Sequence, residues 1–296
     1  MNDRQALFEA ERSHLSAVAY RMLGSASEAE DVLQEAFLRF LGHEGGVESP
    51  RAFLTTIVAR LCLDQLKSAR ARRETYVGLW LPEPLVTTNP PAQAPDARAE
   101  LAESLSLAFL VLLEQLSPLE RAAFLLREVF DWPFAEVAAV LETTENATRQ
   151  LVARARAHIN NDRSRYRACE EKKQELLRAF VAACATADPT ALGQVLAADV
   201  VAHTDGGGKV PAATRAVFGR DRVVRYVLGV LERRPAGIVP DLAWINGEPG
   251  VVLREGAAVR AAVALSIVGD AIGDVWIFVN PDKLARVADG VFAFSS

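Results

Sequence analysis

The stretch Leu116–Ile159, LSPLERAAFLLREVFDWPFAEVAAVLETTENATRQLVARARAHI, decides how the rest of the chain is read. Its apolar residues recur at helical spacing in three short runs. Ser117, Pro118 and Glu120 mark the start of the first run: a capping serine, a proline at the first helical position and a glutamate three residues after the serine. Leu119, Ala122, Leu126 and Val129 then line one face. Trp132-Pro133 ends that run, and Phe134, Val137, Ala138 and Leu141 carry the second. Thr143-Thr144 opens the third, whose Leu151, Val152, Ala155 and Ile159 face inward. That leaves Asn146, Arg149, Gln150, Arg154 and Arg156 on the outer side. A short helix, a tight turn and a helix with amide and guanidinium groups on its free face make a helix-turn-helix arrangement. Such donors suit phosphates and base edges in a major groove. A solvated basic face would have the same pattern, so the rest of the chain decides.

A net charge of −5 over 296 residues argues, taken alone, against a nucleic-acid partner. Its distribution argues the other way. Residues 51–73 hold six bases and one acid, and 143–167 hold six bases and two acids, while the first fifty residues hold nine acids and four bases. Local fields govern counterion release from a phosphate backbone. The pattern fits nucleic-acid contact at two places and a protein partner elsewhere. Cys62, Cys169 and Cys184 are scattered and lack CxxC spacing, which points to a reducing cytoplasm and away from a disulfide frame or zinc site. Neither a metal nor a cofactor is expected. No apolar run approaches 18 residues, so no membrane helix is expected, and the N-terminus lacks a signal peptide's apolar core. No P-loop, HExxH or GxSxG motif is present.

In chain order, residues 3–23 read as a helix, and Ser25 or Ser27 starts a second. The second points Val32, Leu33, Ala36, Phe37, Phe40 and Leu41 inward and leaves Asp31, Gln34, Glu35 and Leu38 on the other side. After a loop over Gly42–Pro50, residues 51–73 form a longer helix bearing Arg51, Arg60, Lys67 and Arg70. Residues 74–98 contain five prolines, which preclude a regular helix. Within them Trp80-Leu81-Pro82-Glu83-Pro84 exposes more apolar surface than a tether needs and reads as a docking peptide. Residues 99–115 are expected to be a further amphipathic helix. From about Ala168 the pattern changes to helices at 170–186, 189–197 and 219–233, then β-like runs at Ile238–Ile245, Gly250–Arg254, Val259–Ile267 and Ala271–Val279. This indicates an α+β domain with an antiparallel sheet.

The segment EAEDVLQEAFLRFL (28–41), followed by a Gly-rich loop and PRAFLTTIVARLCLDQLKSARAR (50–72), resembles region 2 of the extracytoplasmic-function group of bacterial sigma factors. Residues 116–159 resemble region 4 of the same family, in the same order. The C-terminal part resembles the SnoaL-like branch of the cone-shaped fold of ketosteroid isomerases. Joined with WLPEP (80–84), DGGGKV (205–210) and NPDKL (280–284), it is similar to the sigma-factor subgroup with a fused SnoaL-like domain. The expected fold is two all-α DNA-binding units followed by an α+β cone. Expected boundaries are 1–75 for region 2, 76–98 for the linker, 99–167 for region 4 and 168–296 for the regulatory domain.

The resemblance implies a cytoplasmic partner of core RNA polymerase that binds double-stranded promoter DNA and its melted single strand. Asp31, Gln34, Glu35 and Leu38 would dock on the polymerase. Arg51, Arg60, Lys67 and Arg70 would serve the minus-ten element, and Asn146, Arg149, Gln150, Arg154 and Arg156 the minus-thirty-five element. Ala147 and Thr148 depart from the residues usual in the family, so base preference does not carry over.

In this subgroup the C-terminal domain is thought to regulate sigma activity in cis. WLPEP and NPDKL are expected to dock on each other, with Asn280-Pro281 stopping the last strand, Asp282 in the turn, Leu284 meeting Trp80 and Leu81, and Lys283 meeting Glu83. His203 and Asp205 are candidates for a polar pocket. With them filled by a ligand, the alternative is a small-molecule isomerase or cyclase, or a sensor, fused to the DNA-binding halves. A third reading, an ordinary helix-turn-helix repressor, leaves the acidic 28–41 helix without a job.

Overall fold

The computed structural model describes residues 3–74, 76–88, 105–159, 170–233 and 235–288, with the side chains of 69–74, 170 and 288 excepted. Arg70 and linker residues 89–98 therefore lie outside the described side chains, as does the first part of the helix expected at 99–115.

Three helices open the chain: α1 (Asp3–Leu23), α2 (Ala26–Leu41) and α3 (Pro50–Glu74). Ser25 caps α2, its hydroxyl accepting from the Glu28 N–H. The second helical unit comprises α4 (Leu107–Leu113), α5 (Pro118–Phe124), α6 (Phe134–Val140) and α7 (Glu145–Ile159). The α5 start is the capping box expected from Ser117 and Glu120, with Pro118 at the first turn. A π-helical turn at Leu125–Val129 follows and ends at Asp131 in a left-handed conformation (φ 55°). Thr144 caps α7 by accepting from the Ala147 N–H. Apolar faces of both units merge into one core. Phe8, Leu15, Leu54 and Val58 belong to the same buried cluster as Phe124, Leu126, Val140 and Val152. The two helical units are packed on each other.

The C-terminal domain contains α8 (Glu170–Ala185), α9 (Pro189–Val195), β2 (Leu196–Asp205), β3 (Val217–Phe218), α10 (Arg220–Glu232), β4 (Val239–Ile245), β5 (Glu248–Glu255), β6 (Ala258–Val268), β7 (Ala271–Phe278) and α11 (Pro281–Ala288). Its sheet recruits a strand from the linker, β1 (Val86–Thr87), paired antiparallel to β4 through Val86–Ile245 and Thr87–Trp244. The order is β1-β4-β5-β6-β7-β2-β3. An all-antiparallel sheet was expected, but β2 runs parallel to β7 and is mixed with antiparallel neighbours. The cause is the crossover: after β2 the chain passes through α10 and the β4–β7 meander and returns beside β2 in the same direction. NPDKL also differs from the expected turn. Asn280 and Pro281 open α11, with the Asp282 N–H donating to Asn280 Oδ1.

Side chains alternate across the sheet, and the two faces meet different partners. One face packs Val263, Leu265, Val275 and Ile277 against Leu176, Phe180, Val223 and Val227 of the helices. The helix-covered face of the sheet is thus lined with buried apolar side chains. The opposite face packs Ala262, Ala264, Trp276 and Phe278 against Leu284 and Val287 of α11, Leu81 of the linker, and Leu107 and Ala108 of α4. This second core belongs jointly to the linker, the second helical unit and the sheet.

Candidate functional site

The outer face of α7 carries Asn146, Arg149, Gln150 and Arg154, all exposed, with Arg156 beside them. Its guanidinium groups have internal partners. Arg149 lies over the Phe134 ring at 4.2 Å and 3.3 Å from Glu145. Arg154 Nε donates to Glu120 at 2.8 Å, and Arg156 grips Glu128 with both nitrogens at 2.8–3.0 Å. Burial alone would raise the Glu120 carboxyl, but its bonds from Ser117 and Arg154 outweigh this and hold it below the usual range. On α2, Asp31, Gln34, Glu35 and Leu38 form one open side, with Leu38 63% exposed. That exposed leucine sits beside two carboxylates.

The α3 residues are divided between solvent and the second helical unit. Arg51 is exposed beside His14, and Lys67 meets Asp64 at 3.0 Å. Arg60 crosses to the second unit. Its Nη2 donates to Ala139 O at 3.1 Å and its Nε to Val140 O at 3.3 Å, with Glu142 at 3.3 Å. A cation at the C-terminal carbonyls of α6 is placed where the helix dipole favours it. Deeper in the same interface the Phe130 ring meets the His14 ring edge-on, and the Arg21 guanidinium lies 5.7 Å from its centroid. Burial, then Arg51 and Arg21, push His14 down to about 4, so it is neutral at pH 7.

The linker is held at both ends of WLPEP. Asp205, 0% exposed, accepts from the Tyr76 hydroxyl (2.6 Å), the Leu81 N–H (2.9 Å), the Gly207 N–H (3.0 Å) and the Lys283 ammonium (2.6 Å). Lys283 also donates to Leu81 O and lies 4.4 Å over the Trp80 ring. Asn280 Nδ2 donates to the Tyr76 hydroxyl at 2.9 Å. Burial and then the Asp205 carboxylate raise Tyr76 above the ordinary phenol value, keeping it a donor. Pro82 and Pro84 are buried with Glu83 between them, and Leu81 and Leu284 share the second core. Trp80 sits against the α1–α2 turn, where Gly24 has φ 67° and a Cβ would lie 2.7 Å from the indole. Only glycine allows this approach.

The Glu83–Lys283 pair expected from residue types is absent. Glu83 Oε2 instead accepts from the N–H groups of Ala26 and Ser27 (2.8 and 3.2 Å) and from the Ser25 hydroxyl (3.1 Å), at the positive end of α2. Its other oxygen lies 3.8 Å from Arg286. His203 and Asp205 are likewise taken up by separate partners. Val200 and Ala202 face the helix-covered apolar side and Thr204 bonds Tyr226 of α10, so His203 and Asp205 point to the opposite face. There His203 bonds Asp274 at 3.0 Å and stacks on Trp276 at 4.1 Å. A cleft of about 330 Å³ opens elsewhere, between α9 and α10, lined by Thr190, Arg220 and Arg225 among others. The sequence reading missed Tyr76 and Asn246 altogether. Tyr76 precedes the motif as an isolated aromatic, and Asn246-Gly247 gives only a hairpin signal.

Behind the stacked pair, Trp276 Nε1 donates to Ser266 Oγ, which donates to Glu248 Oε2, at 2.7 and 2.6 Å. Burial pushes the Glu248 carboxyl up to about 7, with Asp274 adding to the effect. Its folded value exceeds its unfolded value. Its contribution to stability is therefore complete below about pH 4.5 and is lost as pH rises through about 7. Thermal midpoints across this window should fall with rising pH, and Glu248→Gln should flatten that part of the profile. An unchanged slope in the variant would assign the pH dependence to other groups.

A second helical unit whose helix-turn-helix carries a basic outer face, and a first unit that sets the acidic and apolar side of α2 beside the basic α3, fit a promoter-recognition subunit. Residues 7–72 match the model of sigma-70 region 2, and 106–159 match sigma-70 region 4. The ECF RNA polymerase sigma factor SigJ of Mycobacterium tuberculosis is 42% identical over 287 residues, covering 93% of this chain and 91% of that protein. The probable ECF sigma factor SigI of the same species is 32% identical, with 94% of each chain covered. The crystal structure of M. tuberculosis SigJ superposes with a TM-score of 0.75 at 39% identity, over 94% of this chain and 97% of that one. The chain belongs to the extracytoplasmic-function sigma factors of the sigma-70 family. No helix among the described residues is long and apolar enough to cross a membrane.

Proposed function

We propose that this sigma factor directs core RNA polymerase to its promoters and that its C-terminal domain holds it closed in cis. In this reading Asp31, Gln34, Glu35 and Leu38 dock on the polymerase. Arg51, Arg60, Lys67 and Arg70 serve the minus-ten element, and Asn146, Arg149, Gln150, Arg154 and Arg156 the minus-thirty-five element. The observation that carries the closed state is Arg60. A side chain assigned to promoter DNA is bonded to the carbonyls of Ala139 and Val140 in the other DNA-binding unit. Productive binding must separate them. The linker sets how far they can separate, and WLPEP is clamped by Asp205 and Lys283 of the C-terminal domain. The apolar lining under the helices and the use of Asp205 on the linker support regulation over chemistry for that domain.

Run-off transcription with core polymerase tests this. Trp80→Ala removes the ring under Lys283, and Asn280→Ala removes the bond to Tyr76 and the cap of α11. Each should raise transcription roughly 5- to 30-fold, the equivalent of about 1–2 kcal/mol of lost closure. Because both act on one dock, the double variant should gain less than the product of the two. Unchanged transcription in both would end the closed-state reading. Fully multiplicative gains would mean that the two motifs act separately.

A further inference from the structure

The three parts of the chain meet at one side chain that no recognised motif contains. Asn246 is 3% exposed at the first position of the β4–β5 turn, in a left-handed conformation (φ 54°) with Gly247 after it (φ 77°). Its Oδ1 accepts from the Leu85 N–H of the linker at 3.0 Å. One Nδ2 hydrogen goes to the Tyr20 hydroxyl of α1 at 2.7 Å, and the other to Leu105 O, just before α4, at 3.1 Å. The Tyr20 hydroxyl passes its own hydrogen to Glu83 O at 2.7 Å, and the Asn246 N–H donates to Leu85 O at 2.8 Å. Burial raises Tyr20 above the usual phenol range, so it remains a donor. A carboxamide has one acceptor group and two donor hydrogens. Here all three are used, each on a different part of the chain.

We infer that Asn246 is a positioning residue that couples the linker, region 2 and region 4, so that they release from the C-terminal domain together. The physical reason is the cost of partial release. If region 2 alone withdrew, one Asn246 Nδ2 hydrogen and Glu83 O would be left unpaired in a buried site. If the linker alone withdrew, Asn246 Oδ1 and its backbone N–H would lose Leu85, and if region 4 alone withdrew, the other Nδ2 hydrogen would lose Leu105 O. Aspartate meets the turn's backbone requirement but offers no donor, and glycine meets it with no side chain. Of the residues that tolerate the left-handed turn, asparagine is the one that satisfies all three partners. The inference rests on the closed state proposed above and adds that its opening is all-or-none.

Hydrogen exchange of the full chain, read for peptides spanning 20–28, 81–87 and 105–113, gives the test, together with core-polymerase affinity. Asn246→Gly keeps the turn and removes every side-chain bond. Exchange should rise about tenfold or more in all three peptides, and core affinity should rise with it. Asn246→Asp keeps the Leu85 bond but faces Leu105 O with an oxygen, and should free 20–28 and 105–113 more than 81–87. Tyr20→Phe, with the turn untouched, should free 20–28 and the Glu83 end of the linker, which keeps the test available if the turn variants fold poorly. Faster exchange confined to 81–87 in Asn246→Gly would make Asn246 a local hairpin residue and overturn the coupling. Faster exchange in all three peptides with unchanged core affinity would keep the coupling and overturn the closed-state reading instead.

Discussion

Asp205→Ala is expected to release the linker from the C-terminal domain and to destabilise the docked state by about 3–5 kcal/mol, the usual result of removing one partner from a buried ion pair. Asp205 accepts four hydrogen bonds at 0% exposure, two of them from the linker and one from Lys283. Without it the ammonium over the Trp80 and Tyr76 rings loses the carboxylate that lies 2.6 Å away, and the Leu81 N–H is left buried without an acceptor. Urea unfolding should show an earlier transition for the linker and C-terminal domain. Proteolysis within residues 76–88 should begin at protease levels that leave the wild-type chain intact. Asp205→Asn keeps an acceptor oxygen and should fall between the two. A wild-type midpoint together with a protected linker in Asp205→Ala would show that the clamp lies elsewhere.

Elements whose cause is local were readable in the sequence. The α5 start rests on Ser117, Pro118 and Glu120, which act within one turn, and α1 through α3 rest on apolar spacing. Trp80 and Leu81 announced a contact because a tether has no use for them, and Leu81 and Leu284 do share a core. The partner of Lys283 was beyond reach for a physical reason. Glu83 and Asp205 are both carboxylates, and only the parallel register of β2 on β7, which sets Asp205 opposite Phe278, brings Asp205 two residues from Asn280. A register is a tertiary choice, and no local rule supplies it. The helix α11 carried a readable signal: Asn280 as cap, Pro281 in the first turn, then Leu284 and Val287 on one face. Asn-Pro after a strand also reads as a stop, and the two meanings compete. Arg60 reads as a promoter residue by its place in a basic helix, yet its bonds to Ala139 and Val140 depend on how the two units pack.

Replacing Arg121 by methionine together with Glu114 by leucine is expected to tighten the closed state and depress transcription. Arg121 of α5 is 2% exposed between the two helical units, beside Cys62 of α3. Burial pushes its guanidinium down to about 9. It has Glu114 at 2.5 Å, but its Nε and Nη2 make no hydrogen bond of good geometry. A charge pair taken out of water and incompletely bonded is poor glue, and an apolar pair of similar volume is commonly more stable by about 1–4 kcal/mol. Separating the units returns Arg121 to water, so the pair stores part of the free energy needed for opening. The double variant should therefore raise the thermal midpoint and lower run-off transcription. Glu114→Leu alone leaves a buried cation without its counter-charge, and should lower the midpoint and raise transcription. Opposite movement of the two variants distinguishes a spring in the interface from a simple loss of packing. If the double variant melts below the wild type, the ion pair is a net stabilising contact, and the closed interface is held by it rather than loaded by it.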